Sequence, residues 1–199
     1  MDKKWLPLTV VLGAAGVAVV TAGLWPDNEE KPPLPQTLCH GALSRETAEL
    51  IDDGKGGGVS TDEWESKGKT TDFAVFQGCY VRRAAPDDDA PRSVYMLVIE
   101  DTRSAPYDKK DSVPLGPGFT GWALPDEAEV TLPAGCAAGM GSTAPYITAS
   151  LEVPSQEEKS LASQGEKKAL VDRDTATRNN ATVMREVATK LTKRHDCAA

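Results

Sequence analysis

Between Trp5 and Trp25 the chain carries 21 consecutive residues without a charge. At about 1.5 Å per residue, a helix of that length spans roughly 31 Å, the thickness of a bilayer's hydrocarbon core. Lys3 and Lys4 precede the run, while Asp27, Glu29 and Glu30 follow it. A basic flank keeps the N-terminus inside and sends the rest of the chain outside. Trp5 and Trp25 stand at the two ends, where interfacial aromatics belong, and Pro26 stops the helix. The expected organisation is therefore a cytoplasmic N-terminus (1–4), a transmembrane helix or uncleaved signal anchor (5–25), a Pro-rich stalk (26–37) and an extracytoplasmic domain (38–199). A secretory signal shares the basic start, but its apolar region is usually about 7–15 residues long. Val20-Thr21-Ala22 is a small-residue cleavage site, so secretion after cleavage near Ala22 is the alternative. Ala14, Ala18 and Ala22 form a small-residue stripe of the kind two anchors can pack against.

The segment after the anchor contains Pro26, Pro32, Pro33 and Pro35. Its polyproline character makes a stiff spacer, reaching up to about 35 Å at roughly 3.1 Å per residue. The domain beyond is long enough for one ordinary hydrophobic core. Its charge is uneven: residues 27–155 hold 22 acidic and 11 basic residues, residues 156–199 hold 7 and 9. An acidic body repels phosphate, so nucleic acid is excluded as a partner. It also repels an anionic lipid surface, and it keeps an exported domain soluble.

All four cysteines, Cys39, Cys79, Cys136 and Cys197, lie on the external side of this topology. An even number without C-x-x-C spacing, in an oxidising compartment, predicts two disulfides. Zinc would want closely spaced ligands, and only His40 and His195 could supply imidazoles. Three pairings are possible. Cys39 with Cys79 and Cys136 with Cys197 is preferred, because it ties the opening helix to the first core strand and the final helix to the later ones.

Ser44 is placed to cap a short helix over 45–53 that Gly54 ends, and Ser60-x-x-Glu63 is a capping pattern for one more turn. The period then changes to two. Over 72–83, Phe73, Val75, Cys79 and Val81 share one face while Ala74, Phe76 and Tyr80 share the other. The second strand, 93–101, is apolar on both faces (Tyr95, Leu97, Ile99 against Val94, Met96, Val98) and belongs in the middle of a sheet. Residues 102–118 read as a long loop, 129–132 as a short strand and 146–153 as an alternating one. A helical piece opens at Ser155, and the last helix, about 172–196, has Ala176, Val183, Val187 and Leu191 as its core stripe. Helix, strands, then helix predicts an α+β domain, an antiparallel sheet covered on one face by an opening and a long C-terminal helix.

Motifs with chemical meaning are few. Gly116-Pro117-Gly118-Phe119-Thr120-Gly121 matches the dinucleotide pattern literally, but Pro117 breaks the turn and no helix follows, so a plain loop and no nucleotide is expected. Asp87, Asp88 and Asp89 lack the spacing and the glycine of a calcium loop. Asn180-Ala181-Thr182 is a formal glycosylation sequon in mid-helix. Nucleophilic catalysis needs a histidine held at the nucleophile. His40 adjoins an oxidised cysteine and His195 sits at a helix end, so no catalytic residue, cofactor or metal ligand is assigned.

LCHGALSRETAELIDDG, the strand cysteine of FQGCYVRR, the VTLPAGC segment and the C-terminal helix ending in a cysteine together resemble membrane-anchored or secreted envelope proteins of Streptomyces-type actinobacteria. The spacing of the opening and strand cysteines is similar to the DUF3558 lipoprotein-like group, from which this chain departs by lacking a lipobox cysteine. The resemblance implies an actinobacterial source and an exported, disulfide-linked α+β domain, and carries no activity. The expected role is that of a single-pass envelope protein whose external domain binds a protein or cell-wall partner. The alternatives are an envelope-acting enzyme with a carboxylate site, or an accessory domain without a ligand.

Overall fold

The computed structural model describes residues 32–54, 56–66, 74–84, 91–154 and 172–197. The expected membrane run at 5–25 lies outside the described residues, as do Asp87–Asp89 and the helical piece opening at Ser155. Among the described residues no helix is long and apolar enough to cross a membrane.

Alternating side chains through the middle of the chain build a seven-stranded, wholly antiparallel sheet. Its strands are β3 (Val59–Ser66), β4 (Phe76–Arg83), β5 (Arg92–Thr102), β6 (Val113–Pro114), β7 (Thr120–Ala123), β8 (Glu127–Thr131) and β9 (Tyr146–Glu152). They lie in the order β3-β4-β5-β9-β8-β7-β6, so β5 and β9 are the central pair. β1 (Thr37–Leu38) and β2 (Leu43–Ser44) form a separate two-stranded hairpin before the four-residue helix α1 (Arg45–Ala48). A second short helix, α2 (Gly135–Gly139), precedes β9, and α3 (Arg173–Arg194) closes the domain. The α+β class, with an antiparallel sheet and a C-terminal helix, is thus what the chain adopts.

One face of this sheet is the core. Cys79, Val81, Tyr95, Leu97, Ile99, Val130, Ala149 and Leu151 point into it. α3 lies across β7, β8 and β9 with Val183, Met184, Val187 and Leu191 fully buried. Leu34, Leu38, Leu43, Ala48 and Ile51 of the N-terminal segment join the same core. Leu34 and Leu38 are buried, so this stretch of the N-terminal segment packs with the domain. Glu186 of α3 fastens the two coverings together, accepting from the Ser44 backbone N–H (3.1 Å) and hydroxyl (3.1 Å) at the start of α1.

The disulfides join Cys39 to Cys79 and Cys136 to Cys197, with Cα separations of 5.0 and 4.7 Å. The first links the N-terminal segment to β4, the second links α2 to the end of α3. Arg83 is buried at the end of β4, where Asp52 takes it with both oxygens (2.8 and 3.0 Å) and the carbonyls of Gly57 and Pro32 accept from it.

Several local expectations are corrected. The helix expected over 45–53 ends at Ala48, since Asp52 and Asp53 turn away to pair with Arg83 and Arg92. Ser60-x-x-Glu63 opens no helical turn. Its residues are β3, all eight in register with β4, so the backbone groups on the inner side of this edge strand are held by the ladder. Thr120 and Gly121, expected in a plain loop, belong to β7, and β6 lies within the 102–118 stretch.

Candidate functional site

The second face of the sheet has no described element packed across β3, β4 and β5, and its residues follow from the register. One row across β3, β4, β5, β9 and β8 reads Asp62, Tyr80, Met96, Glu152, Glu127. The next, reaching β7, reads Trp64, Gly78, Val98, Ser150, Glu129, Trp122. A third reads Phe76, Glu100, Thr148, Thr131 from β4 to β8. This is a sheet face of aromatic and carboxylate side chains, hollowed into a groove of about 910 Å³ over the first row.

Gly78 explains how the groove gets its aromatic wall. A Cβ there would stand 2.6 Å from Cζ2 and 3.0 Å from Cε2 of Trp64. Only glycine lets the indole lie down over the strand toward β5, and a glycine in mid-strand otherwise weakens a sheet.

The chain's own cations show what this surface holds. Arg82 lies over the Tyr80 ring, 4.2 Å from its centroid, and pairs with Asp62 at 2.7 Å. Lys109 reaches in from the loop after β5, sits 4.9 Å from the Trp122 ring and pairs with Glu127. Each cation thus has one ring and one carboxylate. That is the geometry in which a cation–π contact and an ion pair add. The Glu127 hydrogen bond also raises the Lys109 pKa. Tyr107 of the same loop packs at 6.1 Å on Trp122, leaving that indole 3 % exposed.

Negative charge remains over. Glu127 and Glu152 face each other across β8 and β9, an arrangement that costs energy between like charges. Lys109 makes its ion pair with Glu127, and its charge acts on Asp126 and Glu129 only from farther off. Among the described residues no ion pair reaches Glu152 or Asp126, both of which line the groove. Partial burial raises the Glu100 carboxyl, helped by Asp101. Partial burial and then the Glu100 charge raise Glu129. Trp122 Nε1 and Thr131 Oγ1, on this same face, are buried without a hydrogen-bond partner.

The residues singled out from sequence lie elsewhere. Cys79 points to the covered face, and Cys136 and Cys197 are buried beside α3. His40 Nε2 bonds the Trp64 carbonyl at 3.1 Å while its Nδ1 meets Glu63 at 3.4 Å, so the imidazole braces the β3 edge. His195 caps α3, and burial together with Arg194 lowers its pKa. Among the described residues no group of three His, Cys, Asp or Glu is arranged to hold a metal. Gly116 and Gly118 have positive φ in the turn between β6 and β7. Gly121 admits the β8 backbone, where a Cβ would meet the Glu129 carbonyl at 2.1 Å. Asn180 is buried, its Nδ2 donating to the Leu124 carbonyl at 2.8 Å. Sequence reasoning passed over the groove, although one signal was there. Met96, Val98, Phe76, Tyr80 and Trp64 put apolar groups on the face that an ordinary half-covered sheet makes polar.

Compared with protein-family models, curated proteins and solved structures, the chain matches none.

Proposed function

We propose that this chain is a membrane-tethered envelope protein of the actinobacterial kind its sequence resembles, and that its external domain is a binding module. The open face of the sheet receives the partner, a protein or a cell-wall component. The observation that carries this reading is the asymmetry of the sheet. One face is sealed by α3 and the N-terminal segment, while the other keeps indole, phenol and thioether groups in a groove instead of the polar side chains solvent would favour. Two disulfides suit an oxidising compartment, and the uncharged run at 5–25 supplies the tether.

The test is made in cells with the full chain. A periplasm-type reporter fused after Ala199 should be active, and the protein should stay with membranes after carbonate washing. A photo-crosslinking residue at Met96, in the groove, should trap an envelope partner. The same residue at Glu46, exposed on α1, should trap none. Equal trapping from both positions, or none from either, defeats the reading.

A further inference from the structure

Resting on that reading, we infer that the groove is a receptor for a basic polypeptide segment, whose Lys or Arg side chains meet the carboxylates at one end and the indole at the other that the chain's own cations leave without a partner. The argument starts from Arg82 and Lys109, each held by one aromatic ring and one carboxylate. The same surface repeats these ingredients without a cation. The Trp64 indole is laid flat by Gly78, and Glu152 and Asp126 line the groove with no ion pair among the described residues. Glu152 opposes Glu127 directly, and a cation placed between them would relieve a repulsion that Lys109 relieves on one side only.

Charge complementarity selects the partner. A neutral glycan would stack on Trp64 but leave the Glu152 charge unanswered. A nucleic acid or an anionic lipid would be repelled. Length selects a segment over a single amine. From Asp62 on β3 to Glu127 on β8 the groove crosses five strands, about 19 Å at roughly 4.8 Å per strand, which is the reach of about six extended residues. The carboxylate end at β8 and β9 takes the first basic side chain, and the aromatic end at β3 and β4 takes the next.

The experiment measures fluorescence anisotropy of a labelled hexalysine peptide with the full chain in non-ionic detergent micelles. Hexaglutamate and a tetramer of N-acetylglucosamine serve as competitors. Hexalysine should bind, and more weakly at 300 than at 50 mM salt, without displacement by either competitor. Glu152→Gln should weaken binding about fivefold at most, as for one exposed ion pair. Trp64→Leu should weaken it about two- to fivefold through the lost cation–π contact. Glu46→Gln removes the same charge from the covered side and should change binding less than twofold. Glu152 is exposed, so its variant folds even where Trp64→Leu does not. Equal losses for Glu152→Gln and Glu46→Gln would reduce the effect to net charge and overturn the proposal. Displacement by the glycan, or no hexalysine binding, overturns it too. If the Met96 cross-link persists in excess hexalysine, the groove binds something else, and only the basic-segment inference fails. If no cross-link forms at all, the binding-module reading fails with it.

Discussion

Half-buried on the open face, the Glu129 carboxyl is held above the usual carboxylate range, first by loss of water and then by Glu100, with Lys109 pulling the other way. A carboxyl whose folded pKa exceeds its unfolded one penalises the fold once it ionises. The penalty sets in as pH climbs through the unfolded value and is complete above the folded one. Glu129→Gln should therefore raise the melting temperature at pH 7, and the gain should shrink as pH falls to about 4, the unfolded carboxylate range. Glu186 behaves oppositely. Burial works to raise its pKa, but hydrogen bonds from Lys190, Thr47 and Ser44 lower it. Glu186→Gln should cost stability at pH 7, and the cost should fade as pH falls through the lowered folded value. Melting curves of the two variants from pH 3 to 8 should accordingly diverge from wild type in opposite senses. If both shift the same way at pH 7, the environments assigned to the two carboxyls are wrong.

Among the elements, α3 has the sharpest division of labour. Leu191 is fully buried against the sheet, whereas Lys193 is exposed one residue from the helix end. Leu191→Ala should cost about 2–4 kcal/mol, and Lys193→Ala under about 0.5 kcal/mol. Chemical denaturation of both variants decides it, and an unchanged midpoint for Leu191→Ala would mean that α3 is not core. The helix was legible in sequence because Val183, Val187 and Leu191 repeat at helical spacing over more than two turns. β5 was legible because it is apolar on both faces, as a central strand must be. β3 was not: Asp62, Glu63 and Glu65 dilute its alternation, and charged side chains are what an edge strand carries against unwanted pairing. β7 was hidden by Gly121, which reads as a loop residue and is needed for close approach to β8. The groove was illegible for a related reason. Trp64, Tyr80, Met96 and Glu152 come from four strands, and only the register makes them neighbours.

At the scale of the molecule, the two disulfides close loops of 40 and 61 residues. In the chain-entropy account each adds about 3–5 kcal/mol by restricting the unfolded chain. Replacing Cys136 and Cys197 together by serine should lower stability by about that amount, read from denaturant midpoints. In the exported, unreduced protein, alkylation under denaturing conditions should modify none of the four cysteines. Two or more modified thiols would refute the pairing. The order of strands carries one more consequence. β3 to β5 form one meander and β6 to β9 another, each strand pairing with its neighbour in sequence. Only the β5–β9 seam joins residues as distant as Met96 and Glu152. Local pairings are quick to form, while a distant one must first bear the entropy of closing its loop. By that argument the seam should form after the two meanders it joins. The groove, whose Met96 and Glu152 meet across that seam, is then absent from either meander alone and exists only where the two halves are joined.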